Sequence, residues 1–125
     1  MILRDLIQII NGTLVTKSTD LNRVIKGGFA ADLMSDVLAS IQPEAVLMTG
    51  LCNPQIVRTA QMADISAIVL VRGKRPQAET IRLANEENVP LVSTPYGMFD
   101  VCGRLYDAGL VSLELPMEND SPNIE

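Results

Sequence analysis

Residues 45–107 repeat one short unit three times, and this repeat limits the fold more than any other feature of the chain. Each copy consists of an apolar run, a small polar loop and a segment with helical periodicity. The apolar runs comprise residues 45–48, 67–71 and 90–92. Runs this short and this apolar are typical of strands that are covered on both faces. The repeat therefore predicts a three-layer α/β/α fold, in which helices cover a small, mostly parallel sheet.

The rest of the chain extends this pattern on both sides. Apolar residues at helical spacing predict five helices in all, at 2–10, 31–41, 54–63, 77–87 and 96–107. Additional short strands are predicted at 13–16, 22–28 and 110–113. We expect one domain over residues 1–113. Residues 114–125 are acidic and lack a core pattern, so we interpret them as a flexible tail.

Composition excludes several functional classes. The chain contains no histidine, which is the commonest general base and metal ligand, and only two cysteines. Four of the fifteen acidic residues lie in the predicted tail, so the predicted domain is almost neutral and carries no electrostatic footprint for nucleic acid. No apolar run is long enough to span a membrane, and no secretory signal is present. We therefore expect a cytoplasmic protein that binds neither nucleic acid nor membranes.

Small polar residues follow each apolar run of the repeat. Because parallel strands end at one edge of the sheet, these loops should converge where α/β proteins bind their ligands. Glycine allows close approach to the backbone, and helix N-termini attract anions. The predicted ligand is therefore a small anion or a nucleotide. The predicted ligand-binding residues are Thr49, Gly50, Asn53, Arg72, Gly73, Lys74 and Thr94.

These residues also have ordinary structural explanations. Asn53 before Pro54 is a typical helix cap, and the glycines and basic residues suit solvated turns. Cys52 lies at a predicted helix start, where a thiol pKa can fall, which leaves a redox role open. Asp32 and Asp36 resemble a carboxylate pair, but Asp32 is explained more simply by the start of its helix. With no P-loop and no nucleophile–base pair, we expect no catalytic residue, metal or cofactor.

The chain resembles a DRTGG domain in the strings at 27–36, 49–55, 71–76 and 91–96. The resemblance covers about residues 1–113 and is closest to small, stand-alone members from anaerobes. In many members Asp-Arg occupies the place of Asn53-Pro54, and Thr-Gly-Gly that of Val71-Arg72-Gly73. The resemblance implies a fold similar to the N-terminal domain of HPr kinase/phosphorylase. It also implies a regulatory or ligand-sensing role, often as a dimer, with a link to iron-only hydrogenases.

We therefore interpret the chain as a non-enzymatic regulatory module that binds a small anion or nucleotide. Two alternatives stay open: a redox accessory or small enzyme that uses Cys52, and a purely structural protein-interaction domain. A homodimer is expected because short edge strands at 13–29 and 110–115 would leave apolar surface and unpaired backbone exposed. A different protein partner is a further candidate.

Overall fold

Five strands and five helices make up the fold, which the computed structural model describes over residues 1–116. The helices are α1 Leu3–Ile9, α2 Met34–Ser40, α3 Gln55–Met62, α4 Ala78–Glu86 and α5 Met98–Asp107. The strands are β1 Thr13–Leu14, β2 Gly27–Ala30, β3 Ala45–Thr49, β4 Ala67–Leu70 and β5 Leu91–Ser93. Over these residues, no helix combines the length and the hydrophobicity that crossing a membrane requires.

The strands form one sheet in the order β1-β5-β4-β3-β2. Strands β2 to β5 run parallel, and only β1, at the edge, pairs antiparallel with β5. The three apolar runs of the repeat become β3, β4 and β5, and every residue of β3 and β4 is buried. This arrangement confirms the predicted small, mostly parallel sheet.

Helices cover both faces of the sheet, and the alternation of side chains along β3 shows how. Leu47 packs with residues of α2, α3 and α4 in one core cluster. Its neighbours Val46 and Met48 pack with residues of α1 and α5 in the other. Because successive strand residues point to opposite faces, one continuous apolar run supplies both cores. The fold is therefore a three-layer α/β/α arrangement, as predicted.

Two element boundaries differ from the sequence prediction by three residues or more, and the strand predicted over 110–113 forms only an isolated bridge between Ser112 and Gly28. The strand expected over 22–28 lies at Gly27–Ala30, where the backbone pairs in register with the first four residues of β3. The helix expected over 31–41 begins only at Met34. In both cases the long-range pairing of β2 with β3 sets the boundary, and the local sequence does not.

The segment after α5 covers the outer edge of β2. Gly28 donates its N–H to the Val111 carbonyl at 2.8 Å and accepts a hydrogen bond from the Leu113 N–H at 2.9 Å. The N–H of Leu115 then donates to the Ser40 carbonyl at 2.8 Å. Backbone hydrogen bonds to β2 and α2 thus extend to Leu115, and residues 117–125 of the predicted tail lie outside the described part. Because this segment covers the edge of β2, that edge does not supply the exposed backbone on which the homodimer prediction depends.

Candidate functional site

A cleft of about 370 Å³ lies at the carboxyl edge of the sheet, where the loops after β2, β3 and β4 meet. Its volume lies within the range of small-molecule sites, and its position is the usual ligand site of open α/β sheets. Three of the predicted ligand-binding residues line it, namely Gly50, Arg72 and Lys74. The other lining residues are Asp32, Leu51, Val71 and Met98.

Asp32 organises the loop that follows β3. Its Oδ1 atom accepts hydrogen bonds from the Thr49 hydroxyl at 3.0 Å and from the Gly50 N–H at 2.7 Å. The Thr49 oxygen in turn accepts a hydrogen bond from the Leu51 N–H at 3.2 Å. Thr49 is completely buried, and its hydroxyl stabilises this loop through these two hydrogen bonds. The expectation that Asp32 starts its helix is wrong, because α2 begins at Met34 without a side-chain cap.

The loop after β4 supplies the positive charge of the cleft. Arg72 and Gly73 both adopt left-handed backbone conformations, with φ values of 63° and 62°. Their N–H groups each donate at 2.7 Å, to the carbonyls of Tyr96 and Thr94 respectively. Neither N–H is therefore free to orient a ligand. The side chains of Arg72 and Lys74 are exposed, and within residues 1–116 neither forms an ion pair.

Two other predicted residues make structural contacts away from the cleft. Asn53 accepts a hydrogen bond at its Oδ1 atom from the Gln55 N–H at 3.1 Å, which supports the start of α3. Thr94 is 1% exposed and donates its hydroxyl to the Ile10 carbonyl at 2.7 Å. These contacts agree with the cap-and-turn alternative. A ligand-binding role for Asn53 and Thr94 stays a prediction.

Cys52 is unsuited to act as a ready nucleophile. Burial raises the pKa of its thiol above the ordinary value, and the charge of Lys74 opposes this shift only in part. The thiol lies three residues before α3 and points towards the Gly50 carbonyl at 3.8 Å. Burial likewise raises the pKa of Cys102. Among residues 1–116, no group of three acidic or cysteine side chains is arranged to hold a metal ion.

Sequence reasoning missed Asp32 and Met98 as cleft residues. Met98 packs partly against the core and, as the first residue of α5, also reaches the cleft wall. Asp32 follows β2 by two residues, so it occupies the same type of position as the polar residues after β3 and β4. Asp32 is recognised at this edge only once the end of β2 is known, and the pairing of β2 with β3 sets that end.

Comparison with known proteins identifies the family. The DRTGG domain model matches residues 5–108. No curated protein matches the chain. Among solved structures, the chain is similar to the CBS and DRTGG domains of the regulatory region of Clostridium perfringens pyrophosphatase, crystallised with its activator, diadenosine tetraphosphate.

That likeness has a TM-score of 0.65 at 14% identity and covers 94% of this chain and 51% of the other. The present chain thus spans about half the length of its structural neighbour, and the likeness at this identity supports the fold. The family model covers most of the chain and agrees with the resemblance in its loops. This protein therefore belongs to the DRTGG domain family.

Proposed function

We propose that this protein is a non-enzymatic regulatory module that binds a small anion or a nucleotide in the cleft at the carboxyl edge of the sheet. The observation that carries the proposal is the pair of cationic side chains, Arg72 and Lys74, on the cleft wall. Other basic residues, such as Lys26 and Arg104, are paired with carboxylates. Arg72 and Lys74 have no such partner in the part of the chain that the structure describes, so their charge is available to a ligand.

The likeness to a regulatory region crystallised with a nucleotide activator supports both the regulatory role and the nucleotide as a ligand. The chain has no histidine, and burial raises the pKa of the Cys52 thiol, which favours a binding role over a catalytic one. A cytoplasmic location and a link to hydrogenase metabolism follow from the sequence and its resemblance, and they complete the proposal.

Calorimetric titration of phosphate, acetyl phosphate, AMP and ATP tests the binding role. A hydrogen bond to a charged group contributes about 1.5–3 kcal/mol, so Arg72→Ala and Lys74→Ala should each weaken binding by about 10- to 150-fold. Arg75→Ala is the matched control, because Arg75 is also exposed but does not line the cleft. Failure of every anion to bind at millimolar concentration would refute the proposal, and so would an equal loss in the control.

The exposed face of α5 favours a second role, association with another copy of the chain. Phe99 and Tyr106 are 94% and 78% exposed, and Gly103 lies between them on the same helical face. A Cβ atom at Gly103 would meet nothing within 4 Å, although glycine within a helix costs about 1 kcal/mol relative to alanine. An aromatic–glycine–aromatic face is nearly symmetric about its centre, as a two-fold interface requires. We therefore propose that the expected homodimer forms through α5.

Light scattering at tens of micromolar protein tests this interface. Wild-type protein should give a dimer mass, and Phe99→Ser should shift the equilibrium towards monomer because it removes the largest exposed apolar side chain of the face. Met62→Ser is the control, since Met62 is 72% exposed but lies on α3. A monomer mass for the wild type would exclude the dimer, and dissociation by the control alone would place the interface elsewhere.

A further inference from the structure

We infer that the cleft selects ribonucleotides, because Asp32 is placed to accept hydrogen bonds from the ribose hydroxyls while Arg72 and Lys74 hold the phosphate. The inference rests on the proposed function, since it concerns the same cleft, and it narrows the ligand from any small anion to a nucleoside phosphate.

Asp32 has hydrogen-bonding capacity that the protein leaves unused. Both intramolecular bonds to its carboxylate end on Oδ1. Within residues 1–116, Oδ2 accepts no hydrogen bond, although an ionised carboxylate oxygen can accept two. The side chain is exposed and lines the cleft, so Oδ2 is accessible to a ligand. Because Oδ1 fixes the carboxylate to the loop after β3, the position of Oδ2 is set before a ligand arrives.

The charges in the cleft favour a ligand with separate anionic and hydroxyl-bearing ends. Asp32 follows β2, whereas Arg72 and Lys74 follow β4, and β3 lies between these strands. At about 4.8 Å between neighbouring strands, the two kinds of charge originate about 10 Å apart. A single phosphate ion that contacts both cations is too compact to reach the carboxylate as well. A nucleotide can contact the carboxylate and the cations at once. Its ribose diol donates hydrogen bonds, and its phosphate lies at the other end of the sugar.

The remaining walls also suit a nucleoside. Three apolar residues, Leu51, Val71 and Met98, also line the cleft. Small-molecule sites typically combine such apolar walls with a few polar groups that fix orientation. In nucleotide-binding α/β sheets, a carboxylate at the carboxyl edge commonly binds the ribose hydroxyls. Here the same chemistry is supplied by a carboxylate that also holds the neighbouring loop in place.

The substitution Asp32→Asn separates the two roles of the carboxylate. An asparagine Oδ1 can still accept from Thr49 and Gly50, whereas an NH₂ group replaces Oδ2 and cannot accept from ribose. AMP should then bind about 10- to 150-fold more weakly, because a hydrogen bond to a charged group is lost. Inorganic phosphate should bind more tightly, because a negative charge leaves the cleft. Asp36→Asn is the control, since Asp36 is exposed on α2 and does not line the cleft.

A comparison of ligands on the wild type keeps the inference testable if Asp32→Asn does not fold. AMP should bind more tightly than 2′,3′-dideoxy-AMP, and Asp32→Asn should not weaken the binding of the dideoxy analogue. Equal affinity of the wild type for the two nucleotides would overturn ribose recognition while leaving the anion site intact. Equal weakening of AMP and phosphate by Asp32→Asn would overturn it as well. Absence of binding by every anion tested would refute the proposed function and this inference together.

Discussion

The hydroxyl of Thr94 should contribute to stability, and Thr94→Val tests this. The hydroxyl donates to the Ile10 carbonyl at 2.7 Å and accepts from the Tyr96 N–H at 3.2 Å. It therefore joins the end of α1 to the loop after β5, across 84 residues of sequence. Valine has nearly the same shape as threonine but offers neither a donor nor an acceptor, so the substitution removes both hydrogen bonds without creating a large cavity.

The expected cost follows from the two groups left without partners. An unsatisfied buried polar group costs about 1–3 kcal/mol. The Ile10 carbonyl should carry the full penalty and the half-buried Tyr96 N–H a smaller one, so we expect a loss of about 2–4 kcal/mol. For a chain of this length, about 4 °C of melting temperature corresponds to each kcal/mol, which gives a decrease of about 8–16 °C. Thr94→Ser keeps the hydroxyl and loses one buried methyl group, at about 1 kcal/mol.

Thermal unfolding followed by circular dichroism, with urea titration for the free energy, measures both variants. Thr94→Val should be less stable than Thr94→Ser, although apolar burial alone predicts the reverse order. Thr13→Val at the exposed edge of β1 is the control and should change stability by less than about 0.5 kcal/mol. The reasoning fails if serine is the more damaging replacement. It also fails if valine preserves stability but abolishes anion binding, because Thr94 would then act in the site.

Three further predictions concern the backbone, the thiols and the chain end. Gly27→Ala should destabilise the protein more than Gly73→Ala in urea titrations, because a Cβ at Gly27 would lie 2.6 Å from the Val111 carbonyl oxygen. At Gly73 nothing lies within 4 Å, and only the left-handed φ of 62° costs about 1–2 kcal/mol. Alkylation of Cys52 by iodoacetamide should be slow at pH 7 and accelerate only above the ordinary thiol pKa, since burial raises that pKa; rapid labelling of the folded protein at neutral pH would contradict this. Truncation after Leu115 should leave the melting temperature unchanged, and a large decrease would show that later residues contribute to the fold.

Local sequence determined the layered architecture. The runs that became β3 and β4 are apolar at every position, so they predicted strands buried on both faces. The pair Asn11-Gly12 favours a left-handed end to the first helix, and Asn11 has a φ of 50°. The loop strings were enough to indicate the DRTGG family. Each of these features depends on residues within a few positions of one another, which is why a single sequence shows them.

The tertiary structure alone decided which polar groups meet. Gly27-Gly28 has little strand propensity, and β2 exists because β3 pairs with one of its edges and residues 111–113 cover the other. Asp32 is placed in the cleft by Thr49 and Gly50, so its role cannot be seen in its own segment. Sequence reasoning grouped seven residues in one site, whereas the fold brings only three of them to the cleft wall. Hydrogen bonds between distant segments leave no periodic pattern in the sequence, so only the packed structure separates the residues that hold the loops from those that face a ligand.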